Sequence, residues 1–323
     1  MSTLTYREAL REGMRAALAA DERVFLMGED VGLYGGCFAV SLGLLEEFGP
    51  ERILDTPLSE SAFVGAGIGA ALAGQRPIVE IMTVNFSLLA LDQILNNAAT
   101  MSHMSGGQFH VPLVIRMTTG AGRQLAAQHS HSLEAWYAHI PGLRVVTPAT
   151  VADAAGMLLT ALEDPDPVLI FEHGGLFSLS GSCPMAPCPL TWTRQPSCDR
   201  VTTSPSLAMA QGCTRAWRWQ HRWPTPWTWR SSTSAPCVRW TRRRCSRSVG
   251  RTGRLVVVEE GWRSGGIGAE LAARAAEHAF WDLDAPVERV ATAEVPIPYA
   301  KHLEDAALPS VQDVTEAVRR VMQ

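Results

Sequence analysis

Two short runs of residues carry the side chains best suited to proton chemistry. The run Asp55-Thr56-Pro57-Leu58-Ser59-Glu60 places a carboxylate, Glu60, where a predicted strand ends and a helix rich in glycine and alanine begins. Later in the chain, Ala127-Gln128-His129-Ser130 places an imidazole on a glycine-rich loop. Histidine titrates near neutral pH, and a carboxyl group shielded from water can hold its proton there, so both side chains suit general acid–base catalysis.

Each of these side chains also has a purely structural interpretation. The helix dipole favours the ionised form of an acid in the first turn of a helix, whereas burial favours the neutral form. Burial must therefore dominate if Glu60 is to hold a proton. His129 could be an ordinary loop histidine, since His131 and His139 lie nearby.

Strands that alternate with helices predict a mostly parallel α/β sheet around these residues. Ser59 is in position to cap the helix that begins at Glu60. The glycines at 65, 67 and 69 lie inside that helix, so their spacing indicates close helix packing and not a nucleotide-binding turn. The predicted helices are 5–21, 60–73, 88–101, 151–162, 268–280 and 310–322, and the predicted strands are 24–28, one ending at 56–57, 77–81, 111–116, 145–147, 168–171, 255–261 and 287–290.

Length and composition limit the class of protein. The chain has 323 residues, 46% of them hydrophobic and 19% charged, which is enough for about two globular domains. No apolar run approaches the roughly 18 residues that a membrane span needs, and residues 1–12 do not resemble a signal peptide, so we expect a cytoplasmic protein with no membrane partner. The net charge of −4 argues against a nucleic-acid partner.

Residues 183–247 differ sharply in composition from the rest. They hold six of the seven cysteines, seven of the ten tryptophans and eleven arginines, with Asp199 as their one acid. Helix and strand periodicity vanish there, and so many arginines cannot supply buried parallel strands. We therefore expect three parts: a domain over 1–182, a poorly ordered segment over 183–247, and the remainder of a destabilised second domain over 248–323.

Three explanations of the segment 183–247 stay open. They are a basic, aromatic nucleic-acid arm, a metal or disulfide cluster, and a translated frameshift. The cluster is disfavoured because the chain contains no Cys-x-x-Cys pair. GC-rich codons for 229–241 can be chosen so that a frame offset by one base reads Glu-Val-Val-Asp-Leu-Arg-Thr-Leu-Arg-Pro-Leu-Asp, a plausible strand and loop, which favours the frameshift. Translating resequenced DNA across 175–255 in all three frames would separate these explanations.

A set of short motifs is spread over the chain on both sides of the segment 183–247. They are Met27-Gly28-Glu29-Asp30, the run 55–60, Gly74-x-Arg76-Pro77, Asn85-Phe86, Ser105-Gly106-Gly107, the run 127–130, Pro141-Gly142-Leu143, and the runs 167–172, 253–266 and 294–299. With these motifs, roughly three quarters of the chain resembles the β subunits of the E1 components of 2-oxoacid dehydrogenases, and of pyruvate dehydrogenase in particular. The resemblance implies two α/β domains of the transketolase type: a thiamine-diphosphate-binding pyrimidine domain over 1–182, and a C-terminal domain disrupted at its start.

The resemblance also implies roles for individual residues. Glu60 matches the glutamate that contacts N1′ of the aminopyrimidine of thiamine diphosphate and so activates the cofactor. His129 matches the active-site histidine that helps to position substrate or the acyl-transfer intermediate. Glu29, Leu58 and Phe86 are then cofactor-binding residues, with Phe86 stacked on the pyrimidine. A core position is the alternative interpretation of Phe86.

Thiamine diphosphate is the implied cofactor, but part of its site is missing from the chain. The Gly-Asp-Gly…Asn motif that holds Mg²⁺ in this family is absent, so an E1 α subunit is expected to hold the metal and the diphosphate. The family also admits K⁺ on backbone carbonyls near Ala161 and Asp164. Leu89 departs from the family, because many relatives have glutamine there, and it predicts a drier cofactor pocket.

The implied activity is the oxidative decarboxylation of pyruvate with reductive acetylation of the lipoyl group of E2, a step from glycolysis to acetyl-CoA. The implied partners are the E1 α subunit, in an α2β2 heterotetramer, and the E2 acyltransferase. A disrupted second domain would weaken dimer formation or E2 binding. An acetoin-cleaving complex, a branched-chain 2-oxoacid complex and a non-functional frameshifted product remain alternatives.

Overall fold

The computed structural model describes residues 2–183, 189, 206–209, 230–233 and 249–323. The chain divides into two compact units, Met1–Thr119 with Trp136–Arg194, and Gly120–Ala135 with Gln195–Gln323. The stretch Gly120–Ala135, which carries His129, therefore belongs to the second unit. Among the described residues, no helix is long and apolar enough to cross a membrane.

A six-stranded parallel sheet forms the centre of the first unit. Its strands are β2 (Val24–Gly28), β3 (Ile53–Asp55), β4 (Arg76–Thr83), β5 (Val114–Thr119), β6 (Arg144–Val146) and β7 (Val168–His173). Their order is β3-β2-β4-β5-β7-β6, and a separate antiparallel ribbon pairs β1 (Ser2–Thr5) with β8 (Ser180–Cys183). Strands β5 and β7 are buried along their whole length, as expected for parallel strands covered on both faces. The predicted parallel α/β sheet is confirmed.

The helices of residues 2–183 are α1 (Tyr6–Ala20), α2 (Leu44–Phe48), α3 (Glu60–Leu72), α4 (Met101–Met104), α5 (Glu134–Ala138) and α6 (Val151–Glu163), with a 3₁₀ turn at Gly174–Leu176. The single helix predicted over 88–101 is wrong. A 3₁₀ helix (Phe86–Ala90), a π-helix (Gln93–Ala98) and α4 replace it. The Thr100 hydroxyl donates to the Asn96 carbonyl, 2.7 Å away, and such side-chain bonds compete with a regular helical ladder.

Small residues allow close packing of helices in the first unit. A Cβ atom on Gly67 of α3 would lie 2.7 Å from Cγ2 of Val79, and one on Gly13 of α1 would lie 3.1 Å from Cα of Ala155 in α6. Any larger residue at Gly67 would push α3 away from β4. The packing explanation is confirmed for Gly67, whereas a Cβ on Gly69 would meet open space.

The second unit contains a four-stranded parallel sheet. Its strands are β9 (Ser206–Met209), β10 (Arg230–Thr233), β11 (Leu255–Trp262) and β12 (Glu288–Thr292), in the order β10-β9-β11-β12. The helices of residues 253–323 are α7 (Ile267–Ala279), α8 (Lys301–Ala307) and α9 (Val311–Met322), and 3₁₀ turns lie at Ala127–His129 and Phe280–Asp282. Alternate residues of β11 face different helices: Leu255 and Val257 pack in one cluster with α7, and Val256 and Val258 in another with α9.

The anomalous segment 183–247 contributes two short strands to this sheet. Ser206–Met209 pairs with β11, and Arg230–Thr233 pairs with Ser206–Met209. The expectation that the segment supplies no strand is therefore wrong at these two places, because backbone hydrogen bonds can form a parallel ladder whatever the side chains are. Most of the segment lies outside the described residues, so its poor order stays a prediction.

Candidate active site

Several candidate residues lie at the carboxyl edge of the first unit's sheet. Glu29 follows β2, Asp55 ends β3 and Phe86 follows β4, and these three strands are neighbours. Glu60 begins α3, shortly after β3. Open parallel sheets bind ligands at this edge. Ser59 is the N-cap residue of α3, but its side chain makes no capping hydrogen bond, so that predicted interaction is wrong.

Glu29 and Glu60 are two buried carboxyl groups that interact electrostatically. Glu29 is 4% exposed and Glu60 is 7% exposed. Neither side-chain oxygen of Glu29 has a hydrogen-bond partner among the described residues. Burial, and then the charge of Glu60, raises the pKa of Glu29 to about 7. A buried polar group without partners is costly, so the two Glu29 oxygens are available to a polar ligand.

Replacing Glu29 by glutamine should increase stability at alkaline pH. The folded pKa of Glu29, about 7, lies above its ordinary value of 4.5, so the wild type loses stability as pH rises through that interval. At about pH 8 the variant should be more stable by up to about 3 kcal/mol.

Urea denaturation of both proteins at acidic and alkaline pH measures this difference. The acidic samples are the control, because the wild-type carboxyl is protonated there and glutamine should bring no advantage. An equal gain at both pH values would contradict the assignment.

The loop after Glu29 is fixed by Asp55. Its carboxylate accepts the N–H of Gly32 at 2.6 Å and that of Leu33 at 3.0 Å. A Cβ on Gly32 would lie 2.8 Å from Oδ2 of Asp55, so only glycine permits this approach. The Ser41 hydroxyl donates to the Val31 carbonyl at 2.7 Å and closes the loop from its other side. Asp55 is thus a structural part of the run 55–60.

Phe86 begins a 3₁₀ helix and is half-buried, while Leu88 and Leu89 are exposed. Its neighbour Ser87 is fully buried, and the Ser87 hydroxyl lies 2.6 Å from that of Tyr137. Its half-buried side chain distinguishes Phe86 from a fully buried core phenylalanine. Leu58 is 82% exposed in the loop before α3.

His129 ends the 3₁₀ turn Ala127–His129 in the second unit and is half-buried. His131 packs edge-on against the ring of Trp262, with ring centroids 4.9 Å apart, and burial lowers the pKa of His131. His139 is exposed. Glu29, Leu58, Glu60 and Phe86 all belong to the first unit, so the candidate residues are divided between the two units.

Sequence reasoning missed a buried ionic cluster in the first unit. Arg116 of β5 makes bonds to both oxygens of Glu172 in β7, with Nε 2.8 Å from Oε1, and also pairs with Glu80 of β4. Burial raises the pKa of both Glu80 and Glu172, and Arg116 opposes the shift. The signal in the sequence was a charged residue inside each of three hydrophobic strands.

The candidate potassium position is the C-terminal end of α6. The Ala161 carbonyl accepts the N–H of Asp164 at 3.2 Å, and the Asp164 carboxylate lies 2.7 Å from Nε of Arg144. The guanidinium of Arg76 donates to the neighbouring Leu162 carbonyl. Carbonyls at a helix C-terminus attract cations, but two arginines already supply positive charge at this end.

Comparisons with known proteins agree with this architecture. The family model "Transketolase, pyrimidine binding domain" matches residues 2–178, and "Transketolase, C-terminal domain" matches residues 234–314. A solved structure, "Split gene transketolase, inactive beta4 tetramer", superposes with a TM-score of 0.72 at 18% identity, over 99% of this chain and 98% of that one. The fold is therefore transketolase-like, as the sequence predicted.

Curated relatives narrow the family further. The chain is 43% identical to the pyruvate dehydrogenase E1 component subunit beta of Rhizobium meliloti, over 99% of this chain and 70% of the relative. It is 42% identical to subunit beta-1, mitochondrial, of Oryza sativa subsp. japonica (98% and 86%) and to the subunit beta of Rickettsia bellii (98% and 98%). The chain belongs to the family of pyruvate dehydrogenase E1 component β subunits.

Proposed function

We propose that this chain is the β subunit of a thiamine-diphosphate-dependent E1 enzyme that decarboxylates pyruvate oxidatively and acetylates the lipoyl group of an E2 acyltransferase. The observation that carries this proposal is the pair of buried carboxyl groups, Glu29 and Glu60, at the carboxyl edge of a transketolase-type pyrimidine domain. Curated relatives more than 40% identical are named as pyruvate dehydrogenase subunits, which favours pyruvate over acetoin or a branched-chain 2-oxoacid.

The residues of this edge fit an aminopyrimidine. That ring offers N–H donors and a basic nitrogen, and Glu29 has two buried oxygens without partners among the described residues. Glu60, Glu29, Phe86 and Leu58 would hold the ring. When bound, thiamine diphosphate supplies a carbon nucleophile and an electron sink for the decarboxylation.

The chain's own residues would control protons and water around this ring. Glu60, nearly excluded from solvent, would pass a proton between its carboxyl oxygen and the ring nitrogen. Glu29, with its pKa raised to about 7 by burial and by the charge of Glu60, is neutral over part of the physiological range and can donate a hydrogen bond. His129 would assist acyl transfer through its imidazole nitrogen.

The remaining partners follow from what the chain lacks. The sequence contains no Gly-Asp-Gly motif, so an E1 α subunit would bring Mg²⁺ and hold the diphosphate in an α2β2 assembly. K⁺ near Ala161 and Asp164 stays a prediction. A cytoplasmic location is proposed from the bacterial relatives.

Co-expression with an E1 α subunit tests the function directly. The purified complex should reductively acetylate a lipoyl domain from pyruvate, and the reaction should require thiamine diphosphate and both subunits. Acetoin and 3-methyl-2-oxobutanoate, offered in parallel, test the two alternative substrates.

The composition of residues 183–247 favours one competing outcome, a non-functional product. In that case the chain would be recovered as a soluble monomer that neither binds the α subunit nor supports turnover. Salt-sensitive retention on nucleic acid would instead support the basic-arm explanation.

A further inference from the structure

The loop that carries His129 has an unusual backbone. Gly122 has a φ of +92°, and two residues that are not glycine, Gln124 and Ala126, have φ values of +58° and +61°. Ala126 directly precedes the 3₁₀ turn Ala127–His129 and has a ψ of −173°, a region that is used almost only by glycine. Such conformations persist only where surrounding contacts impose them.

Two carboxylates of the second unit impose this conformation. Glu304 on α8 is 1% exposed, and its Oε1 accepts the N–H of Gly122 at 2.9 Å and that of Gln124 at 3.2 Å. Oε1 of Glu260, near the end of β11, accepts the N–H of Ala121 at 2.7 Å. Hydrogen bonds to an ionised acceptor are about twice as strong as neutral ones, so three loop amides are firmly held.

Further contacts fix the two sides of the loop. Ala121 packs with Ile297 and Leu308 in a small buried cluster. On the side after His129, the carbonyl of His131 accepts the N–H of Gly120 at 3.2 Å. The imidazole ring of His131 packs against the ring of Trp262. His129 therefore lies in the short stretch between two fixed residues, Ala121 and His131.

A cationic side chain partly offsets the charges of the two carboxylates that hold the loop. Arg123, in the same loop, interacts electrostatically with both Glu304 and Glu260. The cationic side chain therefore offsets two carboxylates that would otherwise repel each other in a partly buried place. The loop thus brings its own counter-charge to the residues that hold it.

We propose that Glu304, assisted by Glu260, is a positioning residue for His129: its carboxylate holds the strained loop in the conformation that presents the imidazole. This inference rests on the role proposed for His129 above. Glu304 itself is not assigned any contact with substrate or cofactor. Its effect should therefore appear in turnover and in loop protection, and not in substrate affinity.

The test compares Glu304→Ala, Glu304→Gln and Asp305→Asn in the assembled α–β enzyme. Alanine removes both acceptor oxygens, whereas glutamine keeps one oxygen that can accept the amides of Gly122 and Gln124. Asp305 is the matched control, because it is next along α8 and pairs with Lys301 at the surface at 2.6 Å. All variants are measured for kcat, for KM with pyruvate, and for amide hydrogen exchange.

The expected order is a large effect for alanine, a partial rescue by glutamine, and none for the control. In Glu304→Ala, exchange at 121–130 should speed by roughly 10- to 100-fold, with α9 protected as in the wild type. The kcat should fall by about 10- to 100-fold with KM little changed, since a misplaced catalytic group slows chemistry more than binding.

Unchanged exchange in the loop of Glu304→Ala would overturn the proposal. So would faster exchange with a normal kcat, if His129→Ala loses activity in the same assay. If His129→Ala stays fully active, the role proposed for His129 fails, and the exchange data then report only on whether Glu304 holds the loop. Glu304→Gln keeps the test valid should the alanine variant not fold.

Discussion

Replacing Glu60 by glutamine is expected to reduce pyruvate decarboxylation by the assembled enzyme about 10²- to 10⁴-fold, the range for loss of a general acid–base group. Glutamine keeps the size of the side chain and its place at the start of α3, but it cannot exchange a proton. Glu60 is 7% exposed, so solvent cannot easily replace it as a proton source. Steady-state release of CO₂, measured with saturating thiamine diphosphate, gives the effect.

Glu46→Gln is the matched control for this prediction. Glu46 also lies in the first turn of a helix, α2, but it is exposed. If Glu60 served only the helix dipole, both substitutions would cost at most about 1 kcal/mol of stability and leave turnover intact. Near-normal decarboxylation by Glu60→Gln would rule out its proposed role.

Replacing Arg116 by methionine should destabilise the first unit by about 3–5 kcal/mol, the cost of removing one partner from a buried ionic group. The substitution leaves Glu80 and Glu172 buried side by side without the arginine that pairs with both. Burial already raises the pKa of each carboxyl, so without Arg116 both should bind protons more tightly when folded. The deficit should therefore be largest above neutral pH and shrink as pH falls towards the ordinary value near 4.5.

Chemical denaturation across pH measures this effect, and two further variants sharpen it. The first is a triple variant that combines Arg116→Met with Glu80→Gln and Glu172→Gln. It removes all three charges of the cluster and should recover most of the stability lost in Arg116→Met. Arg23→Met breaks an exposed pair with Asp21 and should cost less than about 1 kcal/mol. A loss as small in Arg116→Met as in Arg23→Met would show that Arg116 does not offset the cost of burying Glu80 and Glu172.

The local pattern of the sequence determined most of the regular elements. Strand β2 has the predicted bounds, and α1, α6 and α9 begin or end within one residue of theirs, because hydrophobic periodicity and capping residues act over a few positions. Ser310 caps α9 through a reciprocal pair with Asp313. The predicted boundary between strand and helix put Glu60 in the first turn of its helix, and α3 begins at that residue.

Only the tertiary structure decided which of these elements share a site. Glu304 reaches the amide of Gly122 across 182 positions of the chain, and Arg116 meets Glu80 and Glu172 only because β4, β5 and β7 are neighbours in the sheet. Periodicity reports whether a residue faces a core, but it contains no information on strand order or on long-range polar partners. The burial of Glu29, and with it the pKa of its carboxyl, likewise depends on groups that fold over it from elsewhere in the chain.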